Sequence, residues 1–367
     1  MKKIIVVLLL GLVALSCSKE EKAIKIAAIL PLTGSASQWG IPPRDAIEMA
    51  VDEINASGGI NGRKIKLNVQ DDQCEPAKGV SALQNILATE KPTAIIGAVC
   101  SSVSLALAPV AEQNKIVMIS PASTTPLLTE AGDYIFRDIP TDALRGRIFA
   151  EYVFSLGHKR VSILNINNDG GVGNQKTFAD NFMRLGGKIL SVETYAQDTR
   201  DMRTQLTKIK REAPDALIIV SYPDDTPLVL RQAKELKINV PKFFQTEALD
   251  DPSVLEKAGD AAEGVTYILP AKPEGSVVNS FTQKYKQRYG KDSELFAAEG
   301  YDAIYLIVKT LQNSKSMTSD EIKNGLYAIK DYDGASGKIT FDKNGDVIKP
   351  MAIKQIQSRR PIILTSK

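Results

Sequence analysis

Two clusters of small hydroxyl residues, Ser101-Ser102 and Ser120…Ser123-Thr124, are the side chains of this 367-residue chain whose type and spacing best suit a small polar ligand. Each follows a short apolar run, residues 94–96 and 116–119, rich in β-branched side chains. Such runs read as fully buried parallel strands. In an open parallel sheet the carboxyl ends of the strands rim the crevice where ligands sit. The two hydroxyl-bearing turns therefore lie side by side at the edge where a ligand is expected. Hydroxyls and turn amides suit a carboxylate, while a carbonyl and a threonine oxygen suit an ammonium. Together they form a cradle for a zwitterion.

The elements that must position this cradle alternate strand and helix. Strands are expected at 24–30, 64–69, 94–96 and 116–119 and, after a break at Ile139-Pro140-Thr141, at 161–166, 189–195, 216–220, 242–244 and 264–268. Between them, Ile47, Ala50, Val51 and Ile54 share one helical face that stops at Gly58-Gly59, and Val80, Leu83, Ile86 and Leu87 share another. Helices follow at 144–156, 177–185, 202–211 and 228–236. Beyond Leu269-Pro270 come helices at 276–289, 295–313 and 319–329 and a terminal hairpin of 338–341 with 347–356. Two successive arrays imply an α/β fold with two open parallel sheets. Crossings near Pro140, Pro270 and 345–350 are what a two-lobed hinge protein needs. They divide the chain into one lobe of 23–140 and 271–346 and a second of 141–270 and 347–367, behind a signal at 1–16 and a tether at 17–22.

If both sheets face one cleft, the segments after their strands should carry the chemistry. The first strand leads to Gln38-Trp39-Gly40, which holds the single tryptophan. In the second half the corresponding segments are Asn167-Asn168-Asp169-Gly170-Gly171, Ser221-Tyr222-Pro223-Asp224-Asp225 and Gln245-Thr246-Glu247. In a free α-amino acid, Glu247 would pair with the ammonium and Trp39 would cover the side chain. Plainer roles stand beside these. Trp39 also suits a core, Ser101 and Ser102 suit helix caps, and Ser123 and Thr124 suit a turn before Pro126. Glu247 and the Asp224-Asp225 pair also suit a solvated loop. The turn Asp342-Lys343-Asn344-Gly345-Asp346 has the look of a calcium loop, but Val347 and Ile353 stand where its glycine and its twelfth-position glutamate belong; a hairpin turn is expected.

Lys2 and Lys3 precede an apolar run from residue 4 to 15 and then Ser16-Cys17, the pattern of a secretory signal too short for a span of ~20 residues. Cys17 resembles the lipid-modified cysteine of bacterial lipoproteins; the other reading is an ordinary secreted protein. Cleavage before Cys17 removes two lysines and takes the formal charge from +3 to +1. A nearly neutral chain gives no electrostatic reason to expect nucleic acid. With Cys17 assigned to lipid, Cys74 and Cys100 remain in an oxidising compartment, where a pair is expected to be a disulfide. Two thiols and one distant histidine are too few ligands for a metal site, and no cofactor is expected.

The lipoprotein start, Leu-Pro-Leu-Thr-Gly at 30–34, Ala-Val-Asp-Glu-Ile-Asn-Ala-Ser-Gly-Gly-Ile-Asn-Gly at 50–62 and Asp-Asp-Gln-Cys at 71–74 resemble the branched-chain (Leu/Ile/Val) amino-acid binding proteins of ABC importers. So do Ile-Gly-Ala-Val-Cys-Ser-Ser at 96–102, Ile-Ser-Pro-Ala-Ser-Thr at 119–124, Leu-Arg-Gln-Ala at 230–233 and Gly-Asp-Ala-Ala-Glu-Gly at 259–264, so that the likeness covers the mature chain in order. The resemblance implies a type I periplasmic-binding-protein fold, a disulfide at Cys74 and Cys100, and an extracytoplasmic lipoprotein, periplasmic or at the cell surface. It would capture an amino acid by hinge closure and deliver it to a membrane permease. Residues that hold the ligand's main-chain groups in that family match Ser101, Ala122, Thr124 and Glu247. Trp39 matches a side-chain-pocket aromatic and Tyr222 a second-lobe tyrosine; Ser102 and Ser123 complete the expected site. Val172-Gly173 departs from the family's usual Tyr-Gly, which leaves the pocket either wider or closed by another residue. A ligand-sensing lipoprotein for an amide or small carboxylate, signalling to a receptor, is the alternative on the same fold. An enzyme is not expected: Cys100 as nucleophile needs a base, and the single histidine, His158, precedes its strand, at the sheet edge opposite the crevice.

Overall fold

A computed structural model describes residues 23–314 and 316–366. The expected lipid site at Cys17 and the signal before it lie outside the described residues. The first array comprises β1 (Ile24–Leu30), α1 (Ser37–Ala56), β2 (Ile65–Asp71), α2 (Pro76–Thr89), β3 (Ala94–Gly97), α3 (Ser101–Gln113), β4 (Val117–Ser120) and β5 (Ile135–Arg137). Its strands form one sheet in the order β2-β1-β3-β4-β5, parallel throughout. β3 and β4 are buried along their whole length, as central strands covered on both faces must be.

The second array runs through α4 (Asp142–Ser155), β6 (Arg160–Ile166), α5 (Asp169–Arg184), β7 (Lys188–Tyr195), α6 (Arg203–Glu212), β8 (Ala216–Val220), α7 (Thr226–Glu235), β9 (Lys242–Phe244), α8 (Pro252–Ala258) and β10 (Thr266–Pro270). Then come α9 (Ser276–Tyr289), α10 (Ala297–Leu311), α11 (Ser319–Ala328), β11 (Tyr332–Gly334), β12 (Gly337–Ile339), β13 (Met351–Gln357) and β14 (Arg360–Ser366). α9 and α10 return to the first sheet's side: α10 packs along α1, and Arg288 and Lys284 of α9 pair with Asp52 and Glu53 of α1. The chain thus passes between the sheets at 138–141, 271–275 and 348–350.

The C-terminal strands differ from the expected hairpin. The turn at 342–346 is present, with the Asp342 Oδ1 accepting from the amides of Asn344 and Asp346, but only Phe341 and Val347 bridge across it. β13 instead joins the second sheet antiparallel to β10, with β14 antiparallel beyond it, giving the order β14-β13-β10-β9-β8-β6-β7. That sheet is parallel from β7 to β10 and mixed at its far edge. β5, which a three-residue run conceals, was not expected. α1 begins at Ser37, ten residues before the apolar face that marks it, and carries Pro42 and Pro43. Neither proline has an N–H to bond back to the carbonyls of Gln38 and Trp39, so that turn is open where the tryptophan sits. Gly40 allows it to lie against β1, because a Cβ there would stand 1.9 Å from the Pro31 carbonyl oxygen.

Candidate functional site

Cys100, which precedes α3, is joined to Cys74, with Cα atoms 5.5 Å apart and the two cysteines 26 positions apart in sequence. The bond ties the β3–α3 turn to the loop after β2. No side chain caps the N-terminus of α3, so neither Ser101 nor Ser102 takes the capping role. The unbonded amides at the start of this helix remain available to an anion. Three other serines fasten the turn to its neighbour. The Ser120 hydroxyl donates to the Ala98 carbonyl at 2.6 Å, and the Ser104 and Ser123 hydroxyls lie 2.6 Å apart. Ser123 also donates to the carbonyls of Ala98 and Val99.

A cavity of about 40 Å³ opens directly above this cradle, between the carboxyl ends of the two sheets. Six of the eight expected residues line it: Trp39, Ser101, Ala122 and Thr124 from one side, and Tyr222 and Glu247 from the other. Ser102 and Ser123 do not. Ser123 is consumed in the serine network, and Ser102 is buried on α3 away from the wall. Trp39 and Tyr222 meet across the gap with ring centroids 4.8 Å apart, and the Gln38 amide donates to Asp224 at 3.3 Å. α5 also reaches the cleft. A Cβ on its Gly170 would stand 3.0 Å from the Tyr222 hydroxyl and 3.4 Å from the Ser101 Cβ, so the two helix starts approach closely here.

Sequence reasoning missed three notable members of the wall, Arg145, Asn174 and Phe296, and named Thr246 only as part of the segment carrying Glu247. Phe296, which precedes α10, packs edge-on against Trp39 with centroids 6.0 Å apart and closes the cavity. Val172 is 42 % exposed and takes no part, while Phe296, Trp39 and Tyr222 line the cavity together. Arg145 projects from the first turn of α4. Its Nη1 donates to Glu247 Oε2 at 2.6 Å and to the Gln245 carbonyl at 2.9 Å, and its Nε lies 3.7 Å from Asp142. The Arg145–Glu247 pair is almost wholly buried, so Glu247 is no solvated loop acid. Asp225 is likewise buried rather than water-facing; burial, with Asp224 adding to it, pushes its carboxyl up to about 7.

The charges in the wall are linked. Burial raises Asp142 to about 6, with Arg145 and the Thr124 hydroxyl pulling the other way. Burial would lower the Arg145 guanidinium, but attraction to Glu247 and Asp142 outweighs it and holds its pKa above the usual value. The Thr124 hydroxyl donates to Asp142 at 2.9 Å, so its own lone pairs are free to accept from a donor in the cavity. The wall thus presents helix amides and Ser101 for an anion, and Thr124, the Ala122 carbonyl and Glu247 for a cation. The Cys100–His158 pairing weighed from sequence is not formed. Cys100 is tied in the disulfide, and the imidazole of His158, which burial lowers, rests against Phe243 before β6. Among the described residues no cluster of metal-ligating side chains occurs.

A sequence model described as periplasmic binding protein matches residues 23–361. The leucine-, isoleucine-, valine-, threonine- and alanine-binding protein of Pseudomonas aeruginosa is 27% identical over 335 residues, 90% of this chain and 89% of that one. The crystal structure of a leucine-binding protein from Thermotoga maritima is 31% identical with a TM-score of 0.87, covering 94% of this chain and 98% of its own. A branched-chain amino acid transporter substrate-binding protein from Streptococcus pneumoniae, solved with isoleucine, is 26% identical with a TM-score of 0.84, covering 94% and 99%.

Proposed function

The chain belongs to the periplasmic binding protein family, and we propose that it captures a free α-amino acid of the aliphatic and small class its relatives bind and hands it to an ABC permease. The observation that carries this reading is one cavity lined from both lobes, with groups for an anion at one part of its wall and for a cation at another. The ligand's carboxylate rests on the start of α3 and on Ser101. Its ammonium donates to the Ala122 carbonyl, Thr124 and Glu247, and its side chain lies between Trp39, Tyr222 and Phe296.

The open protein offers the first-lobe cradle, and the second lobe closes over the bound ligand by bending at the three crossings. A ligand favours closure only through contacts it makes better in the closed form, which Glu247 and Tyr222 supply. Micromolar affinity requires about −8 kcal/mol, or roughly −0.9 per heavy atom for a ligand of about nine atoms, under the ceiling of about −1.5. A lipid on Cys17 then holds the closed protein near its membrane partner. Calorimetric titration with each of the twenty amino acids tests the reading. At least one is expected to bind at micromolar or better, and a flat response to all of them overturns it.

A further inference from the structure

Four buried polar atoms in the cavity wall are left over once the ligand's main-chain groups are assigned. Trp39 Nε1, Arg145 Nε and Nη2, and Asn174 Oδ1 have no hydrogen-bond partner in the protein, and these three residues are more than nine-tenths buried and line the cavity. The orientation of Asn174 is fixed by its neighbours. Its Nδ2 donates to Asp142 Oδ1 at 3.0 Å and lies 3.5 Å from the Gln245 carbonyl, both acceptors, so the amide oxygen must point the other way. Arg145 is fixed by Glu247 and the Gln245 carbonyl through Nη1, which leaves the second arm of its fork unspent.

Resting on the amino-acid reading above, we infer that Arg145 and Asn174 are specificity residues selecting a small amino acid whose side chain carries a hydroxyl or a carboxamide. The complement is one oxygen that accepts from Arg145 and Trp39, and one O–H or N–H that donates to Asn174 Oδ1. Both groups supply it, since a hydroxyl or amide oxygen has two lone pairs beside its donor. A branched aliphatic side chain supplies none of it. Each buried donor or acceptor that such a ligand leaves unmet weakens binding roughly tenfold or more.

Isosteric ligand pairs test this on the unaltered protein: threonine against valine, and asparagine against leucine, by calorimetric titration. The members of each pair share a shape and differ in the polar group. The oxygen-bearing member of at least one pair is expected to bind at least tenfold tighter; the winning pair tells hydroxyl from carboxamide. Equal affinities, or tighter valine and leucine, overturn the inference and leave the amino-acid reading intact. No binding by any of the four or by the remaining amino acids removes both. Arg145→Lys keeps a charge beside Glu247 but loses the fork, and Asn174→Ala removes the acceptor. Either is expected to bring the preference within about threefold of unity, judged against melting curves that report folding. A preference unchanged in both folded variants also overturns the assignment.

Discussion

Replacing Glu247 separates what the ion pair does for the fold from what the carboxylate does for the ligand. Glu247→Ala removes both at once. Arg145 is 1 % exposed, and its Nη1 lies 2.6 Å from Glu247 Oε2, so truncation strands a buried guanidinium. Breaking a buried pair in this way costs about 3–5 kcal/mol. Glu247→Gln is the cleaner change. The amide keeps an oxygen for Arg145, which also retains the Gln245 carbonyl at 2.9 Å and Asp142 at 3.7 Å, so a loss of about 1–2 kcal/mol in stability is expected. The ligand loses more. A charge-assisted hydrogen bond exceeds a neutral one by about 1–2 kcal/mol. Loss of the ammonium–carboxylate attraction adds to that within an upper bound of about 4 kcal/mol for charges about 4 Å apart near the surface. The sum, about 2–4 kcal/mol, corresponds to a Kd about 30- to 1,000-fold weaker. Calorimetry for affinity and thermal melting for stability, run on both variants, resolve the two effects. A Glu247→Gln protein that binds its ligand within about threefold of the parent refutes the ammonium role. If Glu247→Ala melts like the parent, the stranded-charge argument fails; if it does not, adding Arg145→Met is expected to recover most of the loss.

Thr124→Val removes the oxygen whose lone pairs face the cavity while keeping the shape, so affinity is expected to fall about tenfold; unchanged calorimetric affinity counts against the cradle. Replacing Cys74 and Cys100 by serine opens a loop spanning 26 residues and is expected to cost about 3.5 kcal/mol by the chain-entropy relation, read by denaturant unfolding with and without reductant. Asp142 provides a pH test. Its folded pKa of about 6 exceeds the ordinary aspartate value of 3.8, so its contribution is fully present below pH 3.8 and is lost as pH rises through about 6. The difference is on the order of 3 kcal/mol. The stability of the parent relative to Asp142→Asn is therefore expected to fall between those limits, and parallel stability profiles exclude the shift.

The central strands were legible because burial on both faces writes itself as unbroken apolar runs; β1, β8 and β9 fall at the expected residues. The edges were not. β5 is three residues long, and β14 is exposed along most of its length, so neither carries a burial pattern to detect. β13 reads as one arm of a hairpin with 338–341 from sequence, yet it lies between β10 and β14, and pairing with a strand 80 residues away leaves no local signal. The site divides in the same way. Ser101, Ala122, Thr124, Tyr222 and Glu247 follow strands, and the crevice rule finds residues that follow strands. Arg145 and Asn174 project from helices and Phe296 from the approach to α10, where nothing in the spacing distinguishes them from surface side chains.

On the proposed capture of an amino acid, closure must be a property of the ligand as much as of the protein. The contacts that cross directly between the lobes include the Trp39–Tyr222 ring pair and the Gln38–Asp224 and Thr124–Asp142 hydrogen bonds, each modest on its own. An aromatic pair adds about 0.5–1.5 kcal/mol beyond its burial and an ordinary hydrogen bond about 0.5–1.5. Driving a hinge from one closed molecule in a hundred to ninety-nine takes about 5.5 kcal/mol of preferential binding. Glu247 and the neighbouring Arg145 and Asn174 sit on the far side of the gap from Ser101 and Ala122, so only a ligand that spans the cavity collects energy from both. A carboxylate lacking the amino group therefore engages the α3 cradle without closing the lobes. It is expected to bind weakly and to leave the solution dimensions seen by X-ray scattering unchanged, whereas the cognate amino acid contracts them. Contraction with the deaminated compound would place the driving force elsewhere than in the far wall.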